Sequence, residues 1–171
     1  MLIASQIIGI AGVALYLLSY QLKKRKDIVR VTCVSNALYV LQYILLGAFS
    51  GAIMDFMSTV SSFLAAKKNS PAFRAHTKLL VWSNMLLIAV VGVISAFLQR
   101  QWIELLPVAG TLLQAGSMWC TDEQNIRKLG LLGAPFWLVY NFISQAYGAT
   151  LGSVIAIASI IVAMVRYRKK K

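Results

Sequence analysis

Seven apolar stretches, parted by short charged turns, take up nearly the whole chain: roughly residues 2–22, 28–48, 50–66, 79–98, 102–120, 129–147 and 149–165. A helix needs about 20 mostly apolar residues to cross the hydrocarbon core of a bilayer, with a working range of roughly 17 to 25. Each stretch fits that range. Threaded alternately, they put Lys23, Lys24, Arg25, Lys26 and Arg30 on the same side as Lys67, Lys68, Arg74 and Lys78. Arg127, Lys128, Arg166, Arg168, Lys169, Lys170 and Lys171 join them, and of the 17 Lys and Arg residues only Arg100 falls opposite. Short cytoplasmic loops carry the Lys/Arg excess. The reading is therefore an N-terminus outside and a C-terminus in the cytoplasm. A different number of spans would scramble the partition, so the charges support the count as well as the orientation.

A hydrophobic fraction of 59% and a mean hydropathy of +0.73 exceed the roughly half-apolar composition of soluble domains. The longest loop, 67–78, leaves no room for a separate soluble unit, so residues 1–171 are read as one polytopic membrane domain. A net charge of +12 would suggest nucleic acid in a soluble protein. Here the cations sit in clusters beside spans, where orientation and contact with anionic lipid headgroups account for them, and no nucleic-acid partner is expected. The first stretch has no positive charge before it and is followed by Lys23–Lys26, the reverse of a signal peptide. It is read as a retained span. Cys33, Cys120 and His76 do not make a metal-ligand set, and both thiols map near cytoplasmic helix ends, where they stay reduced. No metal or cofactor is expected.

The chain also carries an internal repeat. A shift of 98 residues lays Ala11-Gly12 on Ala109-Gly110, Ser19 on Ser117, Ile28 on Ile126, Tyr39 on Trp137 and Tyr43 on Asn141. A one-residue slip then brings Gly51-Ala52 onto Gly148-Ala149. Each half is a span, a charged cytoplasmic loop, a span, a very short outer turn and a span. The stretch at 79–98 has no counterpart and joins them. Three spans are an odd number, so the extra helix restores the orientation of the second half. The result is a 3+1+3 parallel repeat (2–66, then 79–98 as linker, then 102–168) with a pseudo-two-fold axis along the membrane normal.

Polar side chains inside a bilayer need a partner or a cavity. The sixth span carries Trp137, Asn141, Ser144, Gln145 and Gly148 on one helical face. The second carries Asn36, Tyr39, Tyr43 and Gly47. These stripes occupy matching places in the repeat, so symmetry is expected to turn them toward each other around a central cavity suited to a small polar solute. The plainer alternative is interhelical hydrogen bonding, worth roughly 0.6 kcal/mol per contact. Gln114 and Asn84 add further amides. Asp55 lies inside the third span, where an aspartate at mid-helix costs on the order of 2.5–3.5 kcal/mol. It is read as a solute-site or proton-coupling group, or else as a partner of Arg100. Glu104, near the outer start of the fifth span, is read as interfacial. Pro107 and Pro135 remove backbone donors within their spans and are read as hinges. Gly47/Gly51 and Gly148/Gly152 are GxxxG pairs that permit close helix approach. There is no intramembrane His, no nucleophile–base couple and no phosphate loop, so no enzyme is expected.

Glu104-Leu105-Leu106-Pro107-Val108 with Gly110-Thr111, then Trp137-Leu138-Val139, Asn141-Phe142 and Gly152-Ser153, together with Leu45-Leu46-Gly47 and Gly51, resemble the YgjV family of bacterial inner-membrane proteins nearly end to end. The resemblance implies a bacterial inner (plasma) membrane location. The layout is also similar to SWEET and PQ-loop transporters, parallel triple-helix repeats joined by a linker helix. That similarity implies movement of a small solute by rocking about helix-breaking prolines around a Trp and Asn pocket, with Pro107, Pro135, Trp137 and Asn141 in the corresponding places. This chain departs from that pattern at Gly9 and Ala37, which stand where first-half prolines would be. The seventh span offers Ser153 and Ser159 but no Asn, and Asp55 stands where those transporters tend to carry Asn.

The sequence reading is thus an all-α, seven-helix membrane bundle of SWEET-like architecture, without enzymatic activity, that moves a small polar solute by alternating access. The candidate solute-site residues are Asn36, Tyr39, Tyr43, Asp55, Trp137 and Asn141. The alternative is a membrane-embedded scaffold or assembly partner with a dry interior. Either a monomer or a homo-oligomer is compatible with these features.

Overall fold

The computed structural model describes residues 2–46, 49–100, 102–143 and 147–167. Among them are eight α-helices and no strand: α1 (Leu2–Gln21), α2 (Arg25–Leu46), α3 (Phe49–Lys67), α4 (Pro71–Arg74), α5 (Thr77–Gln99), α6 (Leu105–Trp119), α7 (Glu123–Ile143) and α8 (Tyr147–Arg166). A 3-10 turn, Trp102–Glu104, leads into α6. The short α4 sits within the 67–78 loop, and the other seven helices overlap the seven apolar stretches. α2 and α7 begin three and six residues earlier than those stretches, because their opening turns are charged rather than apolar. The starts and stops have local causes. Asp27 and Glu123 lie in the first turns of α2 and α7, where a carboxylate favours the positive end of the helix dipole. The Asp122 carboxylate accepts the Gln124 backbone N–H at 3.1 Å. Pro71 opens α4 after Ser70, where its missing N–H costs nothing. Arg100 ends α5 in the left-handed region at φ 54°, the one positive φ outside glycine among the described residues.

Helices consecutive in the chain pack together within each half: α1 on α2 on α3, and α6 on α7 on α8. The halves meet where α3 lies on α6 and α1 on α8, while α5 leans on α6 and, less, on α3. A tight core gathers at one end of the bundle, from Tyr20, Ile28, Val29, Ala65, Met118, Trp119, Ile126 and Ile160. All but Ile160, which lies on α8, flank the turns that close α1, α3 and α6 and open α2 and α7.

The surface is the reverse of a soluble protein's. α5 exposes Leu79, Trp82, Leu86, Leu87, Val90, Val93, Ile94, Phe97 and Leu98, and α8 exposes Leu151, Val154, Ile155, Ile161, Val162 and Val165. Meanwhile Ser5, Ser19, Ser35, Ser58, Ser61, Ser62, Thr111 and Ser117 are buried. A monomer in water rarely exposes so continuous an apolar surface, whereas lipid tails solvate it. By length and composition, Arg25–Leu45 and Thr77–Leu98 suffice to cross a membrane, and Ile7–Gln21 and Thr150–Arg166 are shorter apolar helices.

Candidate functional site

Two features concentrate polar chemistry: the C-terminal ends of α1 and α6, and two small cavities along the seam between the halves, an inner one nearer those ends and an outer one beyond it. At a helix C-terminus the last four carbonyls lack intrahelical partners, and here each half supplies donors for the other. Arg127, 1% exposed, donates through Nε to the Tyr20 carbonyl at 3.1 Å and through Nη2 to the Leu22 carbonyl at 2.7 Å. Tyr167 donates its hydroxyl to the Gln21 carbonyl at 2.8 Å, and the Arg127 guanidinium lies 4.8 Å from the centre of the Tyr167 ring. At the end of α6, Arg25 donates through Nε to the Cys120 carbonyl and through Nη2 to the Met118 carbonyl, both at 2.6 Å. Lys68 reaches the Trp119 carbonyl at 2.7 Å. Burial, and after it the charge of Arg25, push the Lys68 ammonium below its usual range, so the carbonyl contact offsets part of a real desolvation cost. Sequence reasoning counted these cations only as topology signals. These partners lie 51 to 107 residues away, and no local pattern announces them.

The inner cavity lies between α1, α2, α3 and α6 and is lined by Tyr16, Tyr20, Thr32, Asn36, Ser58, Ser62 and Gln114. Gln114 donates to the Tyr16 hydroxyl at 3.0 Å, and that hydroxyl lies 3.4 Å from Tyr20's. The outer cavity, between α3, α5, α6 and α7, is lined by Gly51, Met54, Glu104, Pro107, Trp137 and Tyr140. The Tyr140 hydroxyl donates to Glu104 Oε1 at 3.3 Å. Each cavity measures about 10 Å³, space for one water rather than the 300–1,000 Å³ of a typical solute pocket.

The sequence-predicted residues are distributed between these features. Asn36 is buried in the inner cavity's wall, and half-buried Trp137 lines the outer one. The two stripes therefore reach separate cavities rather than one: α2 packs chiefly on α1 and α3, and α7 chiefly on α6 and α8. Tyr39 lies over Gly12 and Tyr43 over Gly51, while Trp137 presses on Gly110. Asn141 donates to the Ser153 hydroxyl at 3.2 Å. These are ordinary neighbours for aromatic and amide groups that follow the helix crossings of their own half. Gly47, Ser144 and Gln145 lie outside the described residues, and the side-chain environment of Gly148 does too. Asp55 is half-buried on α3, within electrostatic reach of Tyr16, Tyr39 and Tyr43. Among the described residues it forms no ion pair with Arg100, which is exposed at the end of α5. Pro107 falls in the first turn of α6, where a proline removes no intrahelical hydrogen bond, so the loosening expected there does not arise. Pro135 does interrupt the interior of α7. Cys33 and Cys120 are free thiols.

An apolar exterior around a polar seam is the build of a membrane protein, and a family model decides which kind. The model for Imp-YgjV, described as a bacterial inner membrane protein, matches residues 3–171. The chain belongs to the Imp-YgjV family. No curated protein and no solved structure matches it. As an Imp-YgjV member the chain resides in the bacterial inner membrane, and its exposed Leu, Ile, Val, Phe and Trp side chains contact lipid.

Proposed function

We propose that this Imp-YgjV protein moves a small polar solute across the inner membrane by alternating access. Its two triple-helix halves would rock about a pseudo-two-fold axis along the membrane normal, with α5 as linker, in a 3+1+3 arrangement similar to SWEET and PQ-loop transporters. The observation that carries this reading is the reciprocal latch. Arg127 holds the carbonyls of Tyr20 and Leu22, and Arg25 holds those of Met118 and Cys120. Each carbonyl lies at the repeat offset from its counterpart, and Gln21 and Trp119, held by Tyr167 and Lys68, complete the correspondence. A residue can touch its own symmetry mate only beside the axis. Tyr16 and Gln114 do so across 98 residues, as do the Arg25 N–H and the Glu123 carboxylate, 3.2 Å apart. Two inter-half interfaces, α3 on α6 and α1 on α8, are the pair such an axis exchanges.

In this reading the inner gate is shut. The water-sized cavities belong to a closed state, and release of the latch opens the cytoplasmic side. The test is purified protein in sealed vesicles, assayed for counterflow against a panel of neutral and charged small solutes. Protein-dependent exchange of one solute class is expected. Flux no greater than that of empty vesicles across the panel would favour the second reading, a non-transporting scaffold, which the small cavities also suit.

The positive-inside partition supports an outer N-terminus and a cytoplasmic C-terminus. In a variant lacking Cys33 and Cys120, a cysteine added after Lys171 is expected to resist an impermeant thiol reagent in intact spheroplasts, while one at Gln99 reacts. Equal labelling would overturn the orientation. Asp55 is the coupling carboxylate of this proposal. Asp55→Asn keeps size and hydrogen-bonding capacity but cannot change charge, so exchange should persist while its response to a pH gradient disappears. An intact response would reduce Asp55 to a packing residue.

A further inference from the structure

The inner cavity has polar walls that its own protein does not satisfy. Thr32 on α2 is 3% exposed and Ser62 on α3 is fully buried. Neither Thr32 Oγ1 nor Ser62 Oγ has a hydrogen-bond partner. Hydroxyls inside a helix commonly turn back to a carbonyl one turn earlier, and others here do: Thr59 donates to the Asp55 carbonyl at 2.8 Å, and Ser117 to that of Gln114 at 2.6 Å. Thr32 and Ser62 instead line the same cavity, together with buried Asn36 and Ser58. The space is about 10 Å³, close to the minimum that holds one water, and a buried water wants two to four polar partners.

We infer that one water molecule occupies this cavity, bridging Thr32 and Ser62 and so joining α2 to α3. The site lies on the cytoplasmic side of Asp55, whose nearest inward-facing relatives on α3 are Ser58 and Ser62. Its two orphaned hydroxyls both come from the first half, while Gln114, Ala115 and Met118 of α6 close the cavity. With the one-residue slip of the repeat, Thr32, Asn36, Ser58 and Ser62 match Gly130, Ala134, Ile155 and Ser159, and the one hydroxyl among these accepts from Gln21 at 2.9 Å. That comparison rests on the repeat reading, but the water site itself does not depend on transport. Its consequence is that α2 and α3 of the first half are joined through water, whereas α7 and α8 of the second are joined directly, Asn141 donating to the Ser153 hydroxyl.

The sign of a stability change tests it. An unpartnered buried hydroxyl is a liability, so removing it from a dry cavity raises the melting temperature. A hydroxyl bonded to a trapped water is an asset, and removing it lowers the melting temperature. Thr32→Val and Ser62→Ala, measured on the full chain in detergent or nanodiscs, are each expected to lower Tm by about 2–4 °C. The double variant should lose less than the sum of the two, because both hydroxyls serve one water. A rise or no change in either single variant would overturn the site. Melting repeated in sodium chloride and in choline chloride identifies the guest: equal Tm values support water, whereas a rise specific to sodium would replace water with a cation.

Discussion

Arg127→Ala is expected to destabilise the folded protein by about 3 kcal/mol or more, read as thermal melting of the purified chain. Two hydrogen bonds from a charged donor are lost, each worth about 1.5–3 kcal/mol, and the side chain that makes them is 1% exposed. Its removal leaves the Tyr20 and Leu22 carbonyls at the end of α1 without donors, in a place too tightly packed for water to replace the guanidinium freely. The Tyr167 ring also loses its cation. Arg127→Lys should recover only part of the loss, since an ammonium cannot reproduce a planar fork that spans two carbonyls. Lys128 is the control: it is the next residue and exposed, so Lys128→Ala should stay within about 0.5 kcal/mol. If the two alanine variants melt alike, Arg127 is a topology signal and the latch is removed from the transport proposal. If Arg127→Ala stays folded at lower temperature, the same variant should bias vesicle-reconstituted protein toward an open inner side.

The next largest effect is expected at Gly110. A Cβ there would lie 2.7 Å from Trp137 Cδ1 and 3.2 Å from the Gly133 carbonyl, and one at Gly133 would lie 3.0 Å from the Gly110 carbonyl. The α6–α7 crossing is thus so close that backbone meets backbone, and neither helix can yield without parting from the other. Gly110→Ala should cost about 1–3 kcal/mol through overpacking, and it displaces the one indole that lines the outer cavity. The position matched to it in the proposed repeat is more permissive. A Cβ at Gly12 would stand 3.4 Å from Tyr39 Cε1, an ordinary contact, so Gly12→Ala should cost less than about 1 kcal/mol, absorbed by Tyr39 alone. The measurement is the difference in melting between the two alanine variants. Equal effects would mean that both crossings flex and that the halves are mechanically equivalent.

Much of the architecture was legible in advance because bilayers act on coarse properties. Span length and apolar composition located all seven long helices, and the Leu105-Leu106-Pro107-Val108 run with Gly110-Thr111 pointed to the family that the match over residues 3–171 establishes. Boundaries were less legible. α7 starts at Glu123 rather than near 129, since a helix continues into water wherever its residues favour it, and hydropathy reports only the lipid-facing part. Pro107, expected within the fifth span, falls in the first turn of α6 for a related reason: the turn at Trp102–Glu104 delays the start of that helix.

Side-chain partnerships were the part that one-dimensional periodicity could not reach. Asn36, Tyr39 and Tyr43 do share a face of α2, as Trp137 and Asn141 do on α7, but a face has no address until its neighbours are known. The packing order of the helices keeps most contacts of those faces within their own halves and sends Asn36 and Trp137 to separate cavities on the seam. It also brings Arg127 to the end of α1 and joins Thr32 to Ser62 around an unsatisfied cavity. What the sequence determined by itself was the solvent: its apolar composition commits the chain to a membrane whatever the helices do inside it. Which polar groups meet was decided only by the tertiary structure, because a hydrogen bond acts over about 3 Å and depends on helix rotation and crossing angle, which bilayer partitioning leaves free.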